Sequence, residues 1–204
     1  MQLMNEQNRL PSKFYYIPQR SSEWFKLRKN RMTASNADKL LTTRKLRTYI
    51  NKIIADDTGC PPNEWMLRGI ELEPVAKKRY EFETGLIVDE IGFITYGDYA
   101  GCSPDGLIRG QRKGIEIKCP KDETFEKVLT QNYLDEKYYA QIQMNMLITG
   151  YDSWDYVVYT DSTEFEKDII IWTIQRDEIM IQRLEAGIAD GTKMLKELLW
   201  LKGE

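Results

Sequence analysis

What most limits the fold of this 204-residue chain is a change of hydrophobic period in its middle. Ahead of residue 85 the apolar residues recur at helical spacing, as in Tyr49, Ile50, Ile53 and Ile54. From 87 to 118 the pattern breaks into short β-rich runs punctuated by glycine, at 87–88, 92–96, 106–108 and 114–118. Helical spacing returns over 122–130 and 137–149. Residues 153–160 and 167–174, rich in Val, Ile, Tyr and Trp, read as strands. Residues 176–201 read as a closing amphipathic helix that packs through Leu184, Ile188 and Leu195. This order predicts an α/β fold, a central mixed β-sheet flanked by helices.

The N-terminal part is expected to be helical and basic. Residues 1–12 are polar and read as loose. Ser21 and Ser22 ahead of Trp24, Phe25 and Leu27 predict a capped helix start. Thr33-Ala34-Ser35 opens a second short helix through Leu41, and 42–47 read as a basic connection. Helix resumes over 47–57, Gly59, Pro61 and Pro62 break it, and a long helix over 63–84 carries Pro74 as a site for a kink. No repeat or linker divides the chain. The expectation is one domain over 1–204, with a basic helical part at about 13–57.

Composition narrows the chemistry. The chain has no histidine, which removes Ser-His-Asp triads, Cys-His pairs and His-ligated zinc. Its three cysteines, Cys60, Cys102 and Cys119, cannot make a four-cysteine metal site and fit reduced thiols. The net charge of -3 hides an imbalance. Residues 1–52 hold 12 Lys/Arg against 3 Asp/Glu, and the remainder is acidic. A basic quarter suggests a polyanion partner, although a solvated basic face reads equally well from charge alone. No run approaches the roughly 18 apolar residues of a membrane span, and no secretory-type stretch opens the chain, so an intracellular, membrane-free protein is expected.

Carboxylates and lysine remain. Gly101-Cys102-Ser103-Pro104-Asp105-Gly106 and Gly114-Ile115-Glu116-Ile117-Lys118-Cys119-Pro120 carry them. Alternation along a strand sends Ile115 and Ile117 into a core and leaves Glu116 and Lys118 together on the other face. A hairpin between the segments brings Asp105 beside Glu116. Paired carboxylates repel, and a divalent cation relieves the repulsion. Oxygen-only donors favour Mg²⁺ or Mn²⁺. Taken alone, the pattern also reads as a surface salt bridge worth about 0–1 kcal/mol.

Asp105…Glu116-x-Lys118 resembles the signature of the PD-(D/E)xK nucleases. The surrounding blocks resemble the lambda exonuclease branch, the YqaJ-type viral recombinases. In order, these are Trp24-x-x-Leu27-Arg28 with Thr33-Ala34-Ser35; Gly69-Ile70-Glu71-Leu72-Glu73-Pro74-Val75-Ala76; Ser103-Pro104-Asp105-Gly106-Leu107; Glu116-Ile117-Lys118-Cys119-Pro120; and Ala140-Gln141-Ile142-Gln143. The resemblance spans about 22–175. It implies a Mg²⁺-dependent exonuclease that degrades one strand of linear duplex DNA 5′ to 3′ from phosphorylated ends. It leaves a 3′ overhang for recombination. The resemblance further implies a ring-shaped homotrimer, a phage single-strand annealing protein as partner, and the cytoplasm of a bacterial host.

The resemblance also assigns roles. Asp105 and Glu116 would hold two metal ions, with the Ile117 carbonyl and Glu73 as further ligands. Glu73 by itself is only one acid on a solvated helix face. Lys118 would position or deprotonate the attacking water, and Gln141 would bond near it or tie its helix to the sheet. Arg28, Ser35 and Ser103 would bind the terminal 5′-phosphate; Ser35 equally reads as a helix N-cap. Arg44, Lys45 and Arg47 would grip the duplex. Met66, flanked by Trp65 and Leu67, would wedge the end base pair apart or else belong to the core. The cysteines receive no chemistry. Two rival readings remain: a metal-dependent endonuclease with the same carboxylates, and a DNA-binding protein without catalysis.

Overall fold

The computed structural model describes residues 10–56 and 63–203. The expectations for residues 1–9, for Gly59, Pro61 and Pro62, and for Cys60 lie outside the described residues. The elements run β1 (Ser12–Tyr15), α1 (Ser22–Arg28), β2 (Met32–Thr33), a 3-10 helix (Ala34–Leu41), α2 (Thr43–Ile54) and α3 (Glu64–Thr84). They continue with β3 (Val88–Asp89), β4 (Phe93–Tyr96), β5 (Ala100–Cys102), β6 (Gly106–Ile108) and β7 (Lys113–Lys118). The chain closes with α4 (Asp122–Gln131), α5 (Glu136–Thr149), β8 (Ser153–Tyr159), β9 (Ile169–Gln175) and α6 (Glu178–Lys202).

The strands form two sheets. The five-stranded sheet has the order β3-β6-β7-β8-β9, and the four-stranded sheet β1-β4-β5-β2. In the larger sheet β7 pairs antiparallel with β6, Gly106 opposite Ile115, and parallel with β8, Glu116 opposite Tyr156. The parallel pair needs a long crossover, which α4 and α5 supply. Both faces of this sheet are covered, so its strands read as nearly unbroken apolar runs. On one face Ile115, Ile117, Val157 and Ile169 pack against Leu72, Ala76 and Tyr80 of α3. On the other, Trp154, Tyr156 and Val158 join the main core with Ile142, Met146 and Leu147 of α5. A Cβ at Gly114 would stand 2.3 Å from the Trp154 ring, so only glycine lets β7 and β8 pair with that indole across them.

Local chemistry sets the helix ends. Ser21 caps α1, Asn63 caps α3 and Asp177 caps α6, each accepting a backbone N–H with its side chain. Gly85, at φ 68, closes α3 in the left-handed conformation. The basic connection expected at 42–47 is a correction: Thr42 caps α2 by accepting the Lys45 N–H, and the helix already runs from Thr43. Leu46 lies on the same buried face as Tyr49 and Ile50, and Arg44, Lys45 and Arg47 cover the exposed side. The helical pattern therefore starts a turn earlier than the basic run suggests. The small strands β1, β2 and β5 go beyond the expected ones; Ala100-Gly101-Cys102 has none of the bulky residues that mark a strand. Among the described residues no helix is long and apolar enough to cross a membrane.

Candidate active site

The register of the β6–β7 hairpin builds the centre of the site. Pairing Gly106 with Ile115 places Asp105, just before β6, against the C-terminal half of β7. The Asp105 carboxylate accepts the Ile117 N–H at 2.6 Å. Glu116 lies one residue back on the opposite face and is only 1% exposed. Its Oε1 accepts from Lys118 Nζ at 2.5 Å and from Gln141 Nε2 at 2.6 Å. Its Oε2 accepts from Asn145 Nδ2 at 3.1 Å. The strand is thus no solvent-facing ribbon, and the Glu116–Lys118 pair is no surface salt bridge.

The electrostatics follow from burial. Burial first, then the neighbouring Asp105, pushes the Glu116 carboxyl up to about 7. Asp105 is raised by burial, against the pull of Lys118 and the Ile117 N–H. Burial draws the Lys118 ammonium down, but Glu116 and Asp105 outweigh it and hold its affinity for the proton above the ordinary value. The pair is asymmetric: Lys118 stays charged, while Glu116 is held less acidic than usual in spite of it. Glu73, on α3, joins the same field. Burial, then Asp105, raises it to about 7, and Arg20 stands 4.0 Å from its Oε2.

Asp105 raises both Glu73 and Glu116, and acidic oxygens so gathered are a hard donor set of the kind that a divalent cation relieves. They do not form a closed cage: among the described residues no three acidic or thiol side chains converge as a complete metal site. Glu116 is turned toward Lys118 and the α5 amides, and Asp105 toward the Ile117 N–H. A cation held here would take its remaining positions from water or phosphate oxygens, as Mg²⁺ does. Of the described thiols, burial pushes Cys119 up to about 12 and Cys102 well above its usual range, which disfavours the reactive thiolate at both.

The second group is joined through two aromatic residues. The Arg28 guanidinium lies 4.2 Å over the Trp24 ring, and Trp24 Nε1 donates to Ser103 Oγ at 2.8 Å. Arg28 is also near Tyr49; burial lowers its affinity for the proton and Tyr49 partly restores it. The Tyr49 hydroxyl accepts the Thr33 N–H at 3.0 Å, and Thr33 Oγ1 lies 3.1 Å from Ser35 Oγ. Trp24 and Tyr49 therefore connect Arg28 with Ser103 on one side and Ser35 on the other. Ser35 is not the N-cap. Thr33 holds that position and makes no side-chain cap bond, so the Ser35 hydroxyl sits inside the first turn of the 3-10 helix.

The third group is exposed. Arg44, Lys45 and Arg47 project from α2, Lys45 with Asp38 at 3.6 Å. Met66 is exposed, with Trp65 and Leu67, at the start of α3, so the core reading of these three residues is corrected. Lys121 lies 4.1 Å over the Trp65 ring, and Arg68 Nη1 donates to the Pro120 carbonyl. Both contacts tie the start of α3, which carries Met66, to the chain that leaves β7. Asn145 carries no motif of its own; its one signal in the sequence is its place one helical turn beyond Gln141.

The family model described as the YqaJ-like viral recombinase domain matches residues 23–152. No curated protein matches the chain. The alkaline exonuclease LHK-Exo from Laribacter hongkongensis is 33% identical, with 89% of this chain and 96% of that one covered at a TM-score of 0.80. Its structure in complex with dAMP gives 34% identity over 89% and 96% of the two chains, at a TM-score of 0.81. A phage-related exonuclease from Haemophilus somnus 129PT shares the fold, at 16% identity over 84% and 96% of the chains and a TM-score of 0.68. The match covers more than half of the chain and spans both carboxylate-bearing segments; the chain belongs to the YqaJ-like viral recombinase family and has its PD-(D/E)xK nuclease core.

Proposed function

We propose that the chain is a DNA exonuclease that removes nucleotides 5′ to 3′ from one strand of linear duplex DNA, starting at a 5′-phosphorylated end and leaving a 3′ overhang for recombination. The observation that carries this reading is the convergence of Asp105, Glu116, Lys118 and Gln141 at the end of β7. Asp105 and Glu116 would hold Mg²⁺, with Mn²⁺ as a substitute. Glu73 and the Ile117 carbonyl would complete a two-ion site. Bound there, divalent cations supply Lewis acidity toward the scissile phosphodiester. Lys118, held against Glu116, would position or deprotonate the attacking water and offset charge on the phosphoryl oxygens. The water oxygen bonds to phosphorus as the P–O3′ bond breaks, releasing a 5′-mononucleotide.

Arg28, Ser35 and Ser103 would take the terminal 5′-phosphate. The forked guanidinium and the uncapped start of the 3-10 helix suit an anion. Arg44, Lys45 and Arg47 would follow the duplex backbone, and Met66 would part the end base pair. A homotrimeric ring and a phage annealing protein complete the proposal, in a bacterial cytoplasm.

The test is digestion of linear duplex DNA with one strand 5′-phosphorylated and the other 5′-hydroxyl, with Mg²⁺ and with EDTA, beside a covalently closed circle. Loss of the phosphorylated strand alone, only with metal and only on linear DNA, is expected. Cutting of the circle would make the protein an endonuclease. Ends bound but uncut would make it a DNA-binding protein.

A further inference from the structure

Both oxygens of the Glu116 carboxylate are engaged by side chains, and the partners are unequally shared. Oε1 accepts from two donors, Lys118 Nζ and Gln141 Nε2, which fills its two lone pairs. Oε2 accepts from Asn145 Nδ2 alone. One lone pair of Oε2 is therefore left for a further partner, and the Asn145 donor decides which one.

Asn145 is an unusual residue for its place. It sits in a stretch of α5 where Ile142, Met144, Met146, Leu147 and Ile148 are buried apolar side chains, and asparagine is a poor helix former. It is 1% exposed, and its Oδ1 is buried without a hydrogen-bond partner among the described residues. Turning the amide over would aim Oδ1 at the Glu116 carboxylate, so the carboxylate fixes the orientation and leaves Oδ1 unpaired. An unpaired buried acceptor costs stability, and an apolar residue of similar shape would avoid that cost. The contact with Glu116 is what the asparagine provides in return.

We infer that Asn145 is a positioning residue: it locks the Glu116 carboxylate through Oε2, so that the remaining lone pair faces the site where a divalent cation binds. This rests on the exonuclease reading. Gln141, one turn earlier, cannot replace it, because Gln141 bonds the other oxygen.

The experiment compares the full chain with Asn145→Leu, close in shape, and Asn145→Ala, smaller and a better helix former. Folding is checked by circular dichroism, and the alanine variant serves if leucine does not fold. Mn²⁺ binding is read by calorimetry without DNA, and kcat and KM on 5′-phosphorylated linear duplex. Expected are a loss of Mn²⁺ affinity of about tenfold or more and a similar fall in kcat, with KM for DNA ends unchanged; a merely structural asparagine would move none of these in a folded variant. A folded variant that binds Mn²⁺ and cuts like the parent overturns the inference while leaving the exonuclease reading intact. A parent chain that neither binds Mn²⁺ nor cuts overturns both.

Discussion

At Glu116 a carboxylate is kept in the interior by three donors and opposed by a second carboxylate, Asp105. Two consequences are measurable. The first concerns the ammonium. Lys118→Ala should still bind 5′-phosphorylated ends but lose at least about 10²-fold in turnover, the scale of positioned electrostatic assistance. Near-normal single-turnover rates in that variant would remove Lys118 from the chemistry. The second concerns pH. Glu73 and Glu116 start from 4.5 and stand at about 7 in the fold, so the folded chain binds protons more tightly than the unfolded one. Their contribution to stability is complete below about 4.5 and is lost as pH rises through about 7. Divalent ions bind the charged forms, so Mn²⁺ should raise Tm more at pH 8 than at pH 5. Equal gains at both pH values, by scanning calorimetry, would mean that the ion binds elsewhere.

Among the elements, β7 carries the most constraint, and Gly114 shows it. Gly114→Ala sets a methyl group within 2.3 Å of the Trp154 ring, in the pairing on which the register of the acids depends. The expected cost is about 1–3 kcal/mol, the range for overpacking a filled core, measured by urea unfolding. An unchanged midpoint would mean that Trp154 moves aside freely. The same element explains what is legible in advance. Alternation along Ile115-Glu116-Ile117-Lys118 gives the facing of the four side chains, and the expected hairpin between the two segments brings in Asp105, its turn lying around Gly110 at φ 73. It does not give the burial of Glu116, because that depends on α5 covering the second face, which lies 25 residues away at Gln141. Asn145 is silent for the same reason: an amide within an apolar helix has no meaning until the strand opposite is known. The links from Trp24 to Ser103 and from Tyr49 to Thr33 are equally silent, because both join distant segments through aromatic side chains that read as ordinary core. The short strands β1, β2 and β5 are hidden by their length, and the start of α2 by the basic residues that precede Leu46.

Over the whole molecule, charge is divided by position in the chain. Residues 1–52 are basic and carry the exposed Arg44, Lys45 and Arg47 on α2, while the carboxylates gather farther along. If α2 follows the DNA backbone, the affinity for ends should fall steeply with salt. Replacing the three residues by alanine should flatten the plot of log K against log salt by up to about 0.9 for each phosphate that is no longer neutralised. Fluorescence anisotropy with a labelled duplex measures this. Binding that stays constant up to about 0.2 M salt would mean that the basic quarter is not the DNA face.

The parallel pairing of β7 with β8 also sets an order in time. Asp105, Glu116 and Lys118 are synthesised well before β8, yet Glu116 lies opposite Tyr156, and its amide donors come from α5. On the ribosome the acids therefore emerge first as unpaired chain, α4 and α5 follow, and the parallel partner of β7 exists only once residues 153–159 have left the exit tunnel. A nascent chain of this kind therefore holds every residue of the candidate centre, from Glu73 to Asn145, before the strand that lies beside Glu116 has been made.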